Sequence, residues 1–251
     1  MTHRPSHPAG FTLIEITVIV AVLAILATAI TPMILQQIVD TKVESTRNEA
    51  KLLHEAVLGR PDVPGAFGFF GDMGRFPSAL RELVKPAIGT PFFTTVTFRN
   101  VGMGWKGPYI NTGDTKDDAL IDAFGREYVQ TNIGQVRSAG PNGILDDEDD
   151  IVYPPNPPRP FGRVMVIVKR LDAVGTGYTL DPTGYVVRLY YAQNGVETFI
   201  DDAVAPFVFE TVPQGVHAIA VLRGGNVFVI QDTIQVFGGG TAKLVELSFR
   251  P

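Results

Sequence analysis

Residues 10–35 read GFTLIEITVIVAVLAILATAITPMIL, and this stretch decides the architecture of the chain. From Phe11 to Leu35 the only charge is Glu15. About 25 such residues coiled as a helix can cross roughly 30 Å of hydrocarbon. The ten residues ahead of it, MTHRPSHPAG, are polar and weakly basic, with Arg4, His3 and His7. An export signal places its small cleavage residue after the apolar run. Here the small residue, Gly10, comes before it, so a cut at Gly10 leaves the apolar helix on the mature chain.

Glu15 is the odd residue in this helix. An ionisable group inside a membrane is costly without a partner and points to function. After a cut at Gly10 it becomes the fifth residue of the mature chain, where the new α-amino group of a neighbouring copy can neutralise it. A carboxylate snorkelling at the membrane surface of a plain anchor is the alternative. The run G-F-T-L-I-E, with Gly10 and Phe11 flanking the cut, resembles the N-terminal motif of type IV prepilins and type II secretion pseudopilins. The resemblance implies cleavage after Gly10 by a prepilin peptidase, N-methylation of Phe11, and assembly through Glu15 and Pro32. Pro32 has a physical role of its own, since proline removes one helical hydrogen bond and kinks or melts the helix locally.

Beyond Pro32 the sequence becomes amphipathic. Ile34, Ile38, Leu52, Leu53, Ala56 and Val57 recur near helical spacing among charged residues, and Gly59 with Pro61 supplies a stop. The reading is one helix over 11–58, its membrane and assembly part at about 11–35, followed by a globular domain over 59–152. Within that domain, 61–75 (PDVPGAFGFFGDMGR) reads as an irregular surface segment and RFPSALRELVKP as a short helix capped by Ser78. IDAFGREYVQ at 121–130 reads as a hairpin turning at Gly125. Trp105 and His54 read as packing residues. The order RFPSALREL, GPYI, DAFGREY is similar to the globular part of the major pseudopilin of type II secretion, although the 61–75 and 87–103 stretches are longer than in compact members.

Residues 138–151, SAGPNGILDDEDDI, crowd four aspartates and one glutamate into five positions. Such charges repel by about 1 kcal/mol per close pair even when solvated. A solvated acidic turn is one reading. Calcium, which takes six to eight oxygens, is the other. The spacing is not that of an EF-hand. It does resemble the calcium loop of type II major pseudopilins, S-x-G-P-D-G-x-x-G-T-x-D-D-I. That resemblance implies Asp149 and Asp150 as side-chain ligands, Asn142 or Asp147 next, and a backbone carbonyl near Ser138. Asn142 replaces an aspartate of the pattern, and Asp146–Asp147 replace its Gly-Thr.

Residues 153–160, YPPNPPRP, form a proline-dense linker expected to run as extended polyproline II. The remainder, 161–251, alternates apolar strands with turn signals and is expected to form a β-sandwich of six or seven strands. Its FVFETVPQGVHAIAV run resembles transthyretin-like or carboxypeptidase-regulatory-like modules, and Gly238–Gly240 reads as a hairpin turn. The fold class is therefore α+β: a leader over 1–10, a long membrane-spanning helix on a small pilin-like α/β domain, and an all-β sandwich.

The composition narrows the functional classes. With 251 residues, a net charge of −5 and no block of Lys or Arg, a nucleic-acid partner is excluded. The chain has no cysteine, which removes disulfides, thiolate metal sites and cysteine nucleophiles. His54 and His217 lie outside any nucleophile motif, so no enzymatic activity is expected. The expected role is a structural subunit of a type II secretion pseudopilus-like filament in the bacterial inner membrane. Its globular parts would lie on the periplasmic or outer side. The expected partners are further copies, other pseudopilins, the inner-membrane secretion or pilus machinery and the prepilin peptidase. A type IV pilin or minor pilin with an adhesive surface domain on an extracellular fibre, and a solitary tethered binding module, are the alternatives.

Overall fold

The structure, a computed structural model, describes residues 10, 12–60, 63–96, 99, 101–111, 118–131, 134–172, 174, 177–180, 183–224, 227–240 and 242–250. Two compact units are distinguished, Met1–Glu44 and Ser45–Pro251.

The first unit is the leading part of helix α1, Leu13–Leu58, which is 46 residues long and so roughly 70 Å. From Leu13 to Ile38 the described large apolar side chains are exposed all round, from 86% at Leu13 to 46% at Ile19. A helix that is apolar on every face belongs inside a membrane or among other helices. Its threonines are compatible with that environment, because each hydroxyl donates to a carbonyl of its own helix. Thr17 reaches Leu13 O at 2.8 Å, Thr28 reaches Ile25 O at 2.8 Å and Thr31 reaches Ala27 O at 2.7 Å. The helix continues unbroken through Pro32. The local melting that a proline can cause is not seen; only one hydrogen bond is forfeited.

In the second unit α1 changes character. Thr46, Ala50, Leu53 and Val57 are buried on one face at helical spacing, with Ala56 and Leu58 beside them. Ile34, Ile38 and Leu52, which the sequence pattern assigned to the same face, are exposed. The buried stripe packs against Phe69, Phe70, Met73, Leu80, Leu83, Trp105, Tyr128 and Val136. The 61–75 stretch is thus not a surface segment. Gly68–Met73 is a short helix, α2, which plugs this core with Phe69, Phe70 and Met73. Leu80–Leu83 is a 3-10 turn rather than a capped α-helix, and Ser78 does not cap it with its side chain. Instead the Ser78 N–H donates to Glu82 Oε1 at 3.0 Å. The Trp105 indole is buried and donates to Glu82 O at 2.7 Å.

Short strands complete this region. β1 (Thr94–Val96) pairs with β2 (Val101–Met103), and β3 (Val129–Gln130), β4 (Val136–Ser138) and β5 (Ile151–Tyr153) form an antiparallel sheet in that order. The expected hairpin is present, with Gly125 donating to Asp122 O and Asp122 donating to Arg126 O.

Eight strands follow among the described residues, one or two more than the pattern suggested. They are β6 (Phe161–Leu171), β7 (Tyr178–Leu180), β8 (Tyr185–Gln193), β9 (Val196–Asp202), β10 (Phe207–Pro213), β11 (Gly215–Arg223), β12 (Val227–Val236) and β13 (Ala242–Phe249). One sheet runs β10-β6-β13 with β7 also on β6; the other runs β12-β11-β8-β9. Alternate residues of both sheets meet in one apolar core. Val164, Val166 and Val168 of β6 face it, as do Val187 and Leu189 of β8, Phe207 and Phe209 of β10, and Val245 and Leu247 of β13. Each such side chain contributes roughly 1.5–3 kcal/mol by leaving water. The Pro213–Gly215 corner passes the chain from one sheet to the other. Gly238–Gly240 is not a hairpin turn, since β12 and β13 lie in different sheets and β13 runs parallel to β6. The tight β8–β9 connection is Asn194–Gly195, both at positive φ (55° and 75°), the geometry a two-residue hairpin needs.

The 59–152 and 161–251 regions pack closely. Val101 and Met103 share a core with Tyr190, Ala192, Ala218 and Ala220 on the outer face of the second sheet. The approach is so tight at Gly74 that a Cβ there would stand 1.8 Å from the Ala192 carbonyl oxygen. The proline-rich run between the regions is pinned along its length. Pro154 O accepts from Gln135 Nε2 at 2.8 Å, Arg159 O from Gly239 N at 2.7 Å and Pro160 O from Gln214 N at 2.8 Å. The Gln214 amide also donates to Leu58 O at 2.6 Å, so the sandwich satisfies a carbonyl at the end of α1.

Candidate functional site

The helix start is the first candidate. Phe11 and the leader over 1–9 lie outside the described residues, and Gly10 is exposed ahead of the helix. Thr12 is the N-cap. Its backbone N–H and its hydroxyl donate to Glu15 Oε2 at 2.9 and 3.0 Å. The Glu15 N–H returns a bond to Thr12 Oγ1 at 3.3 Å. This is a capping box, in which side chain and backbone of cap and third residue satisfy each other. Sequence reasoning treated Glu15 only as an assembly residue and passed over the T-x-x-E spacing that signals this role. Pro32 lies 17 positions further along, within the same exposed apolar stretch.

The acidic loop is the second. Its base hangs on Asp122, which is buried and whose carboxylate accepts from Phe124 N and Arg126 N, both at 2.9 Å, and from the Ser138 hydroxyl. Ser138 Oγ in turn accepts from Gly140 N at 3.1 Å. Two arginines then hold the loop. Arg126 donates to the carbonyls of Gly140 and Pro141. Arg137 pairs with Asp146 and lies 3.6 Å from Asp150 Oδ2. Asp122, Arg126 and Arg137 were not singled out from the sequence. Arg137 sits one residue before the loop and could have been found as the counter-charge of the acidic run.

The candidate ligands divide into two groups. Asn142, Asp147 and Asp149 are brought together, the Asn142 amide donating to both carboxylates, at 2.7 Å for Asp147. Asp147 and Asp149 also share a hydrogen bond, which holds Asp147 below the usual carboxylate range and raises Asp149. Two carboxylates this close compete for one proton. The Asp150 carboxylate is directed towards Arg137, although its Oδ1 is buried without a hydrogen-bond partner among the described residues, and Ser138, expected to offer a backbone carbonyl, lies in β4 opposite Ile151 with its hydroxyl on Asp122. Among those residues no three Asp, Glu or His side chains form a cluster that could hold a metal ion. What comes together here is two carboxylates and the NH2 group of Asn142, whose Oδ1 accepts from Ile144 N at 2.6 Å.

The histidines are packing groups. His54 Nδ1 is 3.1 Å from Gly134 O and its ring stands edge-on to Tyr153. His217 is buried with Nε2 2.6 Å from Pro213 O, and burial pushes it down to about 4.

Residues 6–31 match the family described as the prokaryotic N-terminal methylation motif. No curated protein matches the chain. The motif supports a type IV pilin-like or pseudopilin subunit in general, with pilin-like oligomerisation and association with a membrane and a peptidase. Helix α1, long and apolar enough to cross a membrane, is compatible with anchoring there.

Proposed function

We propose that the chain is a structural, non-enzymatic subunit of a type II secretion pseudopilus-like filament. The leader is removed between Gly10 and Phe11, Phe11 is methylated, and the mature chains polymerise through α1 in the inner membrane with the globular unit on its outer side. The observation that carries this reading is the stretch from Leu13 to Ile38, exposed on every face and holding a single carboxylate at its head. Lipid alone can cover the apolar surface. A carboxylate at Glu15 gains most when a neighbouring amino terminus replaces water. Negative-stain microscopy of membranes carrying the chain and its prepilin peptidase tests this, wild type beside Glu15→Ala. Filaments in the first and none in the second are expected. Processed protein without filaments in either would overturn it.

The second reading, a type IV pilin or minor pilin, is favoured by the extra sandwich, which can serve as a surface module. Long fibres on the cell exterior, in place of short periplasmic ones, would decide for it.

Calcium belongs to the same proposal. Asp147, Asp149 and Asn142 would hold the ion with carbonyls of the turn, and the ion would relieve the repulsion of the two carboxylates. Binding to the folded state alone adds to stability. Titration calorimetry is expected to show calcium binding that Asp149→Asn weakens, together with a rise in melting temperature. No heat and no shift would remove the ion from the account.

A further inference from the structure

Two arginines near the C-terminal end of α1 have no counter-charge among the described residues. Arg60 and Arg159 are exposed, and neither guanidinium has a hydrogen-bond or ion-pair partner among the described residues. With His54, Phe67, Phe237 and Pro158 they line a cleft of about 240 Å³. Five segments build it: the end of α1, the stretch before α2, the proline-rich run, the β10–β11 corner at Gln214 and the chain leaving β12. The rings of Phe67 and Phe237 stand 5.2 Å apart at its wall. Cations near a helix C-terminus often serve its free carbonyls. Here Gln214 already bonds Leu58 O, and Gly59 N already bonds Glu55 O.

The acidic loop presents the complement. At its tip Ile144 and Leu145 are 63% and 43% exposed. Of the acids that follow, Asp146 and Asp150 face Arg137, and Asp147 and Asp149 face each other and Asn142. Glu148 alone is exposed with no partner among the described residues. The tip therefore offers two aliphatic side chains and one unpaired carboxylate. The cleft offers an aromatic and proline wall and two unpaired guanidiniums. They do not meet within one chain. The loop base is tied through the 122–126 turn to Thr46, where Ala123 N donates to Thr46 Oγ1, and the cleft lies at Leu58. Those levels differ by roughly 18 Å along the helix.

We infer that the cleft receives the 144–148 tip of a second copy displaced along the helix axis by roughly that distance. The inference rests on the filament reading. Because the two patches differ, the contact does not close on itself and repeats from copy to copy. Exposed ion pairs are individually weak, so the contact sets the axial register while α1 drives assembly.

The absence of native cysteine makes the test direct. Full-length chain carrying both Leu145→Cys and Pro158→Cys is expressed with the peptidase, oxidised in membranes and run without reductant. A ladder of dimers, trimers and higher species, collapsed by reductant and absent from each single-cysteine chain, is expected. An intramolecular bridge would leave the chain at monomer size, so only contacts between copies build the ladder. In parallel, Glu148→Arg is expected to cut filament number several-fold, and adding Arg60→Glu with Arg159→Glu in the same chain is expected to restore it. Filaments without a ladder overturn the contact and leave the filament reading standing. So does a cross-link from the Pro158→Cys chain to a different membrane subunit. Wild-type chain that forms no filaments removes both.

Discussion

The two units of the chain solve the same problem in opposite ways. From Leu13 to Glu44 the helix satisfies its hydrogen bonds internally and buries almost none of its apolar surface. From Ser45 onward the same helix gives one stripe to a core and leaves its other faces polar. The difference teaches where each half obtains its free energy. The second unit carries its own apolar cores. The first exposes its apolar side chains from Leu13 to Ile38 and turns polar only towards its end, where Gln36, Gln37, Asp40, Lys42 and Glu44 lie.

The strongest way to break this contrast is to separate the units. A chain lacking residues 1–44 is expected to lose membrane association and filaments entirely, yet to remain a monomer that melts cooperatively. Sedimentation and circular dichroism measure both, and an aggregated or unfolded product would show that the second unit is not self-sufficient.

A smaller effect sharpens the account of the second unit. His217 is held neutral by burial, its folded value near 4 against the usual 6.5. Above pH 6.5 it costs nothing, because it is neutral in both states. As pH falls from 6.5 towards 4 the unfolded chain binds the proton first, and about 3 kcal/mol of stability is lost. Asp72 acts the other way. Burial raises it to about 6 despite the Tyr109 hydroxyl, which donates to it at 3.0 Å, so acidification through this range favours the folded state. Urea melts in an Asp72→Asn, His54→Gln background isolate His217, since burial lowers His54 in the same direction. A steep acid limb is expected there, and His217→Gln is expected to flatten it.

The smallest effect concerns the head of the first unit. Thr12→Val removes the side-chain half of the capping box and is expected to loosen the first turn by about 1 kcal/mol, read by amide exchange. Filaments are expected to persist. If Thr12→Val abolishes them as fully as Glu15→Ala, the carboxylate acts through its own helix and not through a neighbour.

The parts of this fold legible in the sequence are those with a long period or a rigid turn. The apolar run and the alternation in β6 and β8 each impose one conformation. The misread parts are short and non-local. Phe67, Phe69 and Phe70 lie among glycines, which hides a buried helix too short to show a period. Ser78 resembles a cap until Glu82 takes its N–H. In the acidic loop the crowding of charge was plain, but its division between Arg137 and the Asn142 amide depends on a strand register that no local pattern reveals.

The parallel pairing of β6 with β13 has a consequence for timing. The first strand of the sandwich waits for a partner that lies beyond every other strand in the sequence. Until β13 arrives, β6 presents an open hydrogen-bonding edge to its surroundings, the kind of edge that recruits foreign strands. Such long-range closure is intrinsically slow. The hairpins β8–β9 and β11–β12 can zip as soon as they emerge, whereas the other sheet stays unfinished until β13 has been made. A chaperone that shields this edge in the meantime would act on β6.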